Sequence, residues 1–235
     1  MLNFKSFCYL QNQKTGSSFV EAFLRNFSNE PVVYYEKHAA VPVKNYNKNK
    51  FYFINVRLPL NQYWSLFNYG LDGKGEIFFR LLYSGYGHLY QNDIAGFDAW
   101  LSFVSNPKHS RLLHPDYTEE IALQFGFMTW RFLRLACLGF QETGTFLKNI
   151  DQAKLADNLI VSNVIKTENL RADLKELVLS RLSPYINNTE AALNWLEKCE
   201  KINVSKVRDK EKIQPTAIKI IKNRESYLYN KFYEN

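Results

Sequence analysis

Two strand-to-helix passages, each joined through a short polar turn, predict an α/β fold with a central, mainly parallel sheet flanked by helices. In the first, Phe4 to Leu10 alternates apolar and polar side chains and is rich in aromatics, a strand pattern. After a polar turn, Phe19, Val20, Ala22, Phe23, Leu24 and Phe27 recur at helical spacing, with Ser17 or Ser18 as the expected N-cap. In the second, Phe51-Tyr52-Phe53-Ile54-Asn55-Val56 is a nearly continuous apolar run, as expected of a parallel strand covered on both faces. Arg57 closes it, and Asn61 to Tyr69 then reads as a helix with Pro59 near its first turn.

The remaining elements follow in order. Asn29-Glu30-Pro31 marks a turn, and Val32-Val33-Tyr34-Tyr35 reads as a further strand, running into Glu36-Lys37-His38-Ala39-Ala40. Lys44 to Lys50 is a basic connector. Phe97 to Val104 is an amphipathic helix whose aromatics read as core. Met128 to Leu135 is similar, with Arg131 and Arg134 either on a solvated face or turned toward an anion. Asp157 to Val161 reads as a short strand, Glu168 to Leu182 as an amphipathic helix, and Asn187 to Glu200 as a helix anchored by Leu193, Trp195 and Leu196. Asn203 to Lys212 is a basic loop. No repeat and no Pro/Gly/Ser-rich linker splits the chain, so residues 1–235 read as one domain, with 71–160 a mainly helical insertion.

The turn Gln11-Asn12-Gln13-Lys14-Thr15-Gly16-Ser17-Ser18 carries the first chemical signal. A loop between a strand and a helix N-terminus leaves backbone N–H groups converging where the positive end of the helix dipole lies, which suits an anion. Lys14 adds a charge, and Thr15, Ser17 and Ser18 add hydroxyl donors. The nucleotide-triphosphate loop needs two glycines ahead of a Gly-Lys-Ser/Thr ending, and the dinucleotide fingerprint needs three glycines; neither pattern is met. On spacing alone the stretch reads either as a surface turn or as a phosphate loop. Arg57 is likewise either a surface side chain or an anion contact, since ligands of open α/β sheets bind beyond the carboxyl ends of the strands.

A formal charge of +7 favours an anionic partner: nucleotide, nucleic acid, acidic lipid or acidic glycan. Cys8, Cys137 and Cys199 are too few and too scattered for a disulfide framework or a zinc site, which points to a reducing compartment. The first residues lack a secretory pattern and no apolar run approaches the length of a membrane span, so a cytoplasmic protein without an integral membrane segment is expected.

Lys14-Thr15-Gly16-Ser17-Ser18 after a strand, with Val56-Arg57-Leu58-Pro59 and Ser65 eight residues beyond the arginine, resembles the two nucleotide-binding signatures of sulfotransferases that use 3′-phosphoadenosine 5′-phosphosulfate (PAPS). The likeness is closest to the carbohydrate-type enzymes, heparan sulfate 2-O-sulfotransferase among them. Val164 to Leu174, with Glu168-Asn169-Leu170 at its centre, resembles a strand-to-helix segment of that family, and Ile202 to Lys206 and the closing Asn230-Lys231-Phe232-Tyr233 resemble its C-terminal region. Gln13 departs from the family, which has proline before the lysine.

The resemblance implies a P-loop-like sulfotransferase fold, PAPS as sulfate donor, adenosine 3′,5′-bisphosphate as product, and a hydroxyl acceptor, a saccharide or small molecule, contacted by residues 71–160. It assigns Lys14, Thr15, Gly16, Ser17 and Ser18 to the 5′-phosphosulfate and Arg57 and Ser65 to the 3′-phosphate. Ser205 and Lys206, with Arg208, are candidates for closing over the nucleotide. No metal is required, and the sequence clusters no acidic or Cys/His ligands. A hydroxyl acceptor calls for a general base, and of His38, His88, His109 and His114 the first is the leading candidate, because it follows a strand end on the sheet edge that carries the loop; His88, in a glycine-rich segment, is the next. A kinase-like phosphotransferase is opposed by the glycine pattern and by the lack of a magnesium-binding acid after a strand. A non-catalytic module for nucleic acid or acidic glycan is opposed by dispersed basic residues, and no nucleic-acid partner is expected.

Overall fold

The computed structural model describes residues 1–140, 152–200 and 213–234. Among the described residues it is a mixed α/β structure with five strands, β1 (Leu2–Asn3), β2 (Phe7–Leu10), β3 (Tyr34–Tyr35), β4 (Phe51–Val56) and β5 (Asn163–Lys166). Its helices are α1 (Ser17–Phe27), α2 (Pro59–Leu71), α3 (Glu76–Tyr83), α4 (Ile94–Val104), α5 (Ser110–Leu113), α6 (Glu119–Gln124), α7 (Phe127–Ala136), α8 (Gln152–Asp157), α9 (Leu170–Leu177), α10 (Thr189–Lys198), α11 (Pro215–Arg224) and α12 (Ser226–Phe232). Among the described residues no helix is long and apolar enough to cross a membrane. The chain forms two compact units, Met1–Arg57 with Phe132–Val204, and Leu58–Arg131 with Ser205–Asn235.

The first unit holds the whole sheet, in the order β3-β1-β2-β4-β5. Strands β2, β4 and β5 are parallel, whereas β1 runs antiparallel to both of its neighbours. Every residue of β2 is buried. Phe7 and Tyr9 join Phe53 of β4 in a core with Phe19, Val20 and Phe23 of α1, Leu174 and Leu177 of α9 and Leu196 of α10. Cys8 and Leu10 are buried on the opposite face, which is why strands without a polar face belong here.

Three sequence expectations change. Phe4 to Leu10 is not one strand but the second half of a hairpin: the Phe4 N–H donates to the Phe7 carbonyl at 2.9 Å, turning the chain at Lys5-Ser6. Glu30 secures that turn by accepting from the Ser6 N–H at 2.9 Å and its hydroxyl at 2.6 Å. Val32 to Tyr35 shrinks to the two-residue edge strand β3, whose side chains stay exposed. Asp157 to Val161 is no strand: α8 runs through Asp157, and Leu159 forms a single bridge with Cys137. The place beside β4 is taken by Asn163–Lys166, in register from Phe53 opposite Asn163 to Val56 opposite Lys166, so the earlier segment has no ladder to join.

The second unit is helical. Trp64 and Phe67 of α2 meet Phe97 of α4 edge-on, with ring centroids 4.8 and 5.4 Å apart. Glu225, between α11 and α12, is wholly buried in this unit. It accepts from the Tyr63 hydroxyl at 2.6 Å, the N–H groups of Met128 and Thr129 at 3.1 and 2.8 Å, and the Thr129 hydroxyl at 2.7 Å. Those N–H groups open α7, so the carboxylate caps a helix from a distant part of the chain. A β-carbon on Gly126 would stand 2.2 Å from Glu225 Oε1, which is why glycine precedes that helix.

Candidate functional site

The loop from Gln11 to Gly16 leaves the carboxyl end of β2 and enters α1. Four of its carbonyls are held, three from other parts of the first unit and one from within the loop. The Gln11 carbonyl lies 2.7 Å from Nδ1 of His38. The Asn12 carbonyl accepts from the Thr15 hydroxyl at 2.8 Å. Arg57 Nη1 donates to the Lys14 carbonyl at 3.1 Å. The Thr15 carbonyl accepts from Asn55 Nδ2 at 3.1 Å and lies 2.8 Å from the Thr167 hydroxyl, which is equally close to the Val56 carbonyl.

Because a trans peptide is planar, a C=O drawn one way turns the following N–H the other way. Pinning the Lys14 and Thr15 carbonyls therefore turns the Thr15 and Gly16 N–H groups away from Arg57, Asn55 and Thr167. Lys14 and Gly16 both have left-handed backbones, φ 63° and 77°, flanking Thr15. Such turns gather successive N–H groups into an anion-binding concavity. Ser17 and Ser18 open α1, so their N–H groups have no intrahelical acceptor. Among the described residues none accepts from the N–H groups of Thr15, Gly16, Ser17 or Ser18.

The N-cap expectation is corrected here. Gly16 occupies that position, and neither Ser17 nor Ser18 caps the helix with its side chain. The reason is the left-handed turn: a β-carbon on Gly16 would be strained by its φ and would stand 3.1 Å from Leu170 Cδ2. The serines are thereby shifted into the first turn of α1, with Ser17 buried and Ser18 partly exposed.

His38 is a non-glycine residue in the left-handed region, φ 62°, a backbone state that costs about 1–3 kcal/mol unless its surroundings hold it. They do hold it. The Gln11 carbonyl can only accept, so the 2.7 Å contact requires the proton on Nδ1. In the neutral ring the lone pair then lies on Nε2. At the backbone, Arg134 Nη2 of α7 donates to the His38 carbonyl at 2.7 Å. Arg134 thus serves the His38 segment, from a position the sequence left either on a solvated helix face or turned toward an anion.

The other histidines belong to the second unit. His88 is exposed, with Nδ1 3.3 Å from the Gly85 carbonyl. His109 stacks on Phe103 with ring centroids 3.8 Å apart, and His114 Nδ1 accepts from the Asp116 N–H at 3.1 Å. Ser65 lies in the second turn of α2 and is 7% exposed. Ser205, Lys206 and Arg208 lie outside the described residues. Burial pushes the thiols of Cys8 and Cys137 up to about 12 and about 11, so neither supplies a thiolate near neutrality. Among the described residues no group of three or more His, Cys, Asp or Glu side chains is arranged to hold a metal ion.

Asn55 and Thr167 were not singled out from the sequence. Asn55 carried a signal, a lone amide inside an apolar strand: its Nδ2 donates to the Thr15 carbonyl and its backbone carbonyl accepts from Asn12 Nδ2 at 3.3 Å, while Asn55 Oδ1 is buried without a hydrogen-bond partner among the described residues. Thr167 carried none, sitting at an ordinary strand-to-helix junction.

No family model matches the chain, and no curated protein or solved structure does either.

Proposed function

We propose that the chain is a PAPS-dependent sulfotransferase that sulfates a hydroxyl of a saccharide acceptor, with a P-loop-like sulfotransferase fold in its first unit. The observation that carries this reading is the loop of Gln11 to Gly16: its carbonyls are tied back to the protein and its N–H groups turned outward at a helix N-terminus. That arrangement suits a phosphate-like anion. The choice of a phosphosulfate donor comes from the likeness of Lys14 to Ser18 and of Val56 to Ser65 to the sulfotransferase signatures. Parallel pairing of β2 with β4 agrees with it, because Arg57 is brought beside the loop at the same sheet edge.

When bound, PAPS supplies the sulfuryl group: its S–O bond to the 5′-phosphate breaks as the acceptor oxygen bonds to sulfur, and the leaving electron pair stays on adenosine 3′,5′-bisphosphate. The N–H groups of Thr15 to Ser18 and the serine hydroxyls hold the 5′ end. Lys14 balances the charge that grows on the leaving phosphate, the kind of stabilisation that matters most in the transition state. Arg57 and Ser65 take the 3′-phosphate by the family likeness, and His38 receives the acceptor hydroxyl proton on Nε2.

Thermal denaturation tests the reading. Adenosine 3′,5′-bisphosphate is expected to raise the melting temperature well above the shift given by ATP at equal concentration. Equal shifts would favour a phosphotransferase, and no shift with either would remove the nucleotide altogether. Transfer of radiolabelled sulfate from PAPS across a library of saccharide acceptors then identifies the substrate.

A further inference from the structure

His38 is held at two points by two different elements of the first unit. Its ring is bonded to the end of β2 through the Gln11 carbonyl, and its backbone is bonded to α7 through Arg134. The ring contact anchors Nδ1, and the Arg134 bond anchors the carbonyl of the same residue, whose backbone is left-handed at φ 62°. With the carbonyl and Nδ1 both anchored, rotation of the residue is restricted, and the Nδ1 contact to the Gln11 carbonyl favours the neutral tautomer with its lone pair on Nε2. Arg134 sits in the third turn of α7, a helix whose neighbouring residues Phe132, Leu133, Leu135 and Ala136 are buried, so the guanidinium is offered from a rigid base.

We propose that Arg134 is a positioning residue for His38, acting through the His38 carbonyl to hold the imidazole in the tautomer whose Nε2 accepts the acceptor proton. The catalytic part of this rests on the reading of His38 as the base. The coupling between the two side chains stands apart from that reading and is measured separately.

Nitrogen NMR of 15N-histidine-labelled protein distinguishes the two nitrogens of a neutral imidazole. In the wild type, His38 is expected to carry its proton on Nδ1. Arg134→Met, which keeps an unbranched apolar stem, is expected to shift His38 toward a mixture of tautomers. Arg134→Lys, which keeps a donor, is expected to restore most of the wild-type signature and serves as the comparison should the methionine variant fold poorly. Calorimetry with adenosine 3′,5′-bisphosphate is expected to give the same affinity for all three proteins. Sulfate transfer to desulfated heparin, used as the probe acceptor, is expected to fall about 10- to 100-fold in Arg134→Met, the scale of a misplacement of about 1 Å.

An unchanged His38 spectrum in Arg134→Met, or a wild-type ring protonated on Nε2, overturns the proposal. Should the nucleotide fail to bind even the wild type, the sulfotransferase reading falls while the tautomer comparison still decides the role of Arg134.

Discussion

Two helix N-termini in this protein meet the same physical problem in opposite ways. At α7 the N–H groups of Met128 and Thr129 are satisfied from inside by the buried carboxylate of Glu225. At α1 the N–H groups of Ser17 and Ser18, together with those of Thr15 and Gly16, meet no acceptor among the described residues. Both termini are built with a glycine at the entry, Gly126 and Gly16, because a β-carbon would crowd the neighbouring groups. What differs is the acceptor: one terminus is closed from within by a buried glutamate, whereas the N–H groups of the other meet none among the described residues and are the ones the proposed nucleotide site uses.

The contrast is broken most severely at Glu225. Glu225→Ala would leave the Tyr63 hydroxyl, both amides and the Thr129 hydroxyl buried and unpaired. At about 1–3 kcal/mol for each unsatisfied buried group, the loss is of order 4 kcal/mol or more. Urea denaturation is expected to show it as a large drop in midpoint. A drop within that of an ordinary surface substitution would mean that α7 does not depend on this cap.

At the open terminus the expected losses are in rate and affinity, not in folding. His38→Asn keeps a residue that tolerates a left-handed backbone but has no group basic enough to take a proton at neutral pH. Turnover should fall about 10²- to 10⁴-fold, with nucleotide affinity nearly intact. Retention of most of the activity would make His38 an orienting group and turn attention to His88.

Arg57 and Ser65 sharpen the comparison further. Since Arg57 also pins the Lys14 carbonyl, Arg57→Ala is expected to weaken both adenosine 3′,5′-bisphosphate and ADP, the former more, by the worth of a charge-assisted contact, about 1.5–3 kcal/mol. Ser65→Ala should weaken only the nucleotide that carries a 3′-phosphate. Calorimetry with the two nucleotides checks both; equal losses in Arg57→Ala would confine that side chain to the loop.

These networks also mark how far the sequence could be read. The site of the loop was legible because strand, polar turn and helix follow one another locally. What holds the loop was not: Asn55 reaches Thr15 across 40 residues and Thr167 reaches it across 152. Glu225 was hidden for the same reason, since Arg-Glu-Ser between two helices reads as a solvated corner, and its burial depends on Tyr63, 162 residues away. The failed strand at Asp157 to Val161 repeats the lesson in the sheet, where a competitor for the β4 edge decides which apolar run pairs. Gly16 was placed within the loop, yet its left-handed φ, its place at the N-cap ahead of the serines, and the approach of Leu170 to where a β-carbon would stand were not legible from the local sequence.

A smaller effect separates the two termini by pH. Burial pushes the Glu225 carboxyl above its ordinary 4.5, against the pull of its donors from Tyr63, Thr129 and Met128. The folded chain therefore keeps that proton to higher pH than the unfolded one. Its contribution to stability is fully present below about 4.5 and declines as the pH rises through the folded value. Glu225→Gln, which cannot titrate, should flatten this part of the stability profile although it costs stability at every pH. An unaltered slope in urea midpoints between pH 4 and 8 would assign the dependence to other groups.

The most direct test compares backbone amides at the two termini in 15N-labelled protein titrated with adenosine 3′,5′-bisphosphate. The open terminus predicts large, saturable shifts of the Thr15, Gly16, Ser17 and Ser18 amide resonances, while those of Met128 and Thr129, already bonded to Glu225, stay close to their starting positions. Saturation of binding with the four loop amides unmoved would contradict the account, because the nucleotide would then bind elsewhere and the loop would be only a turn.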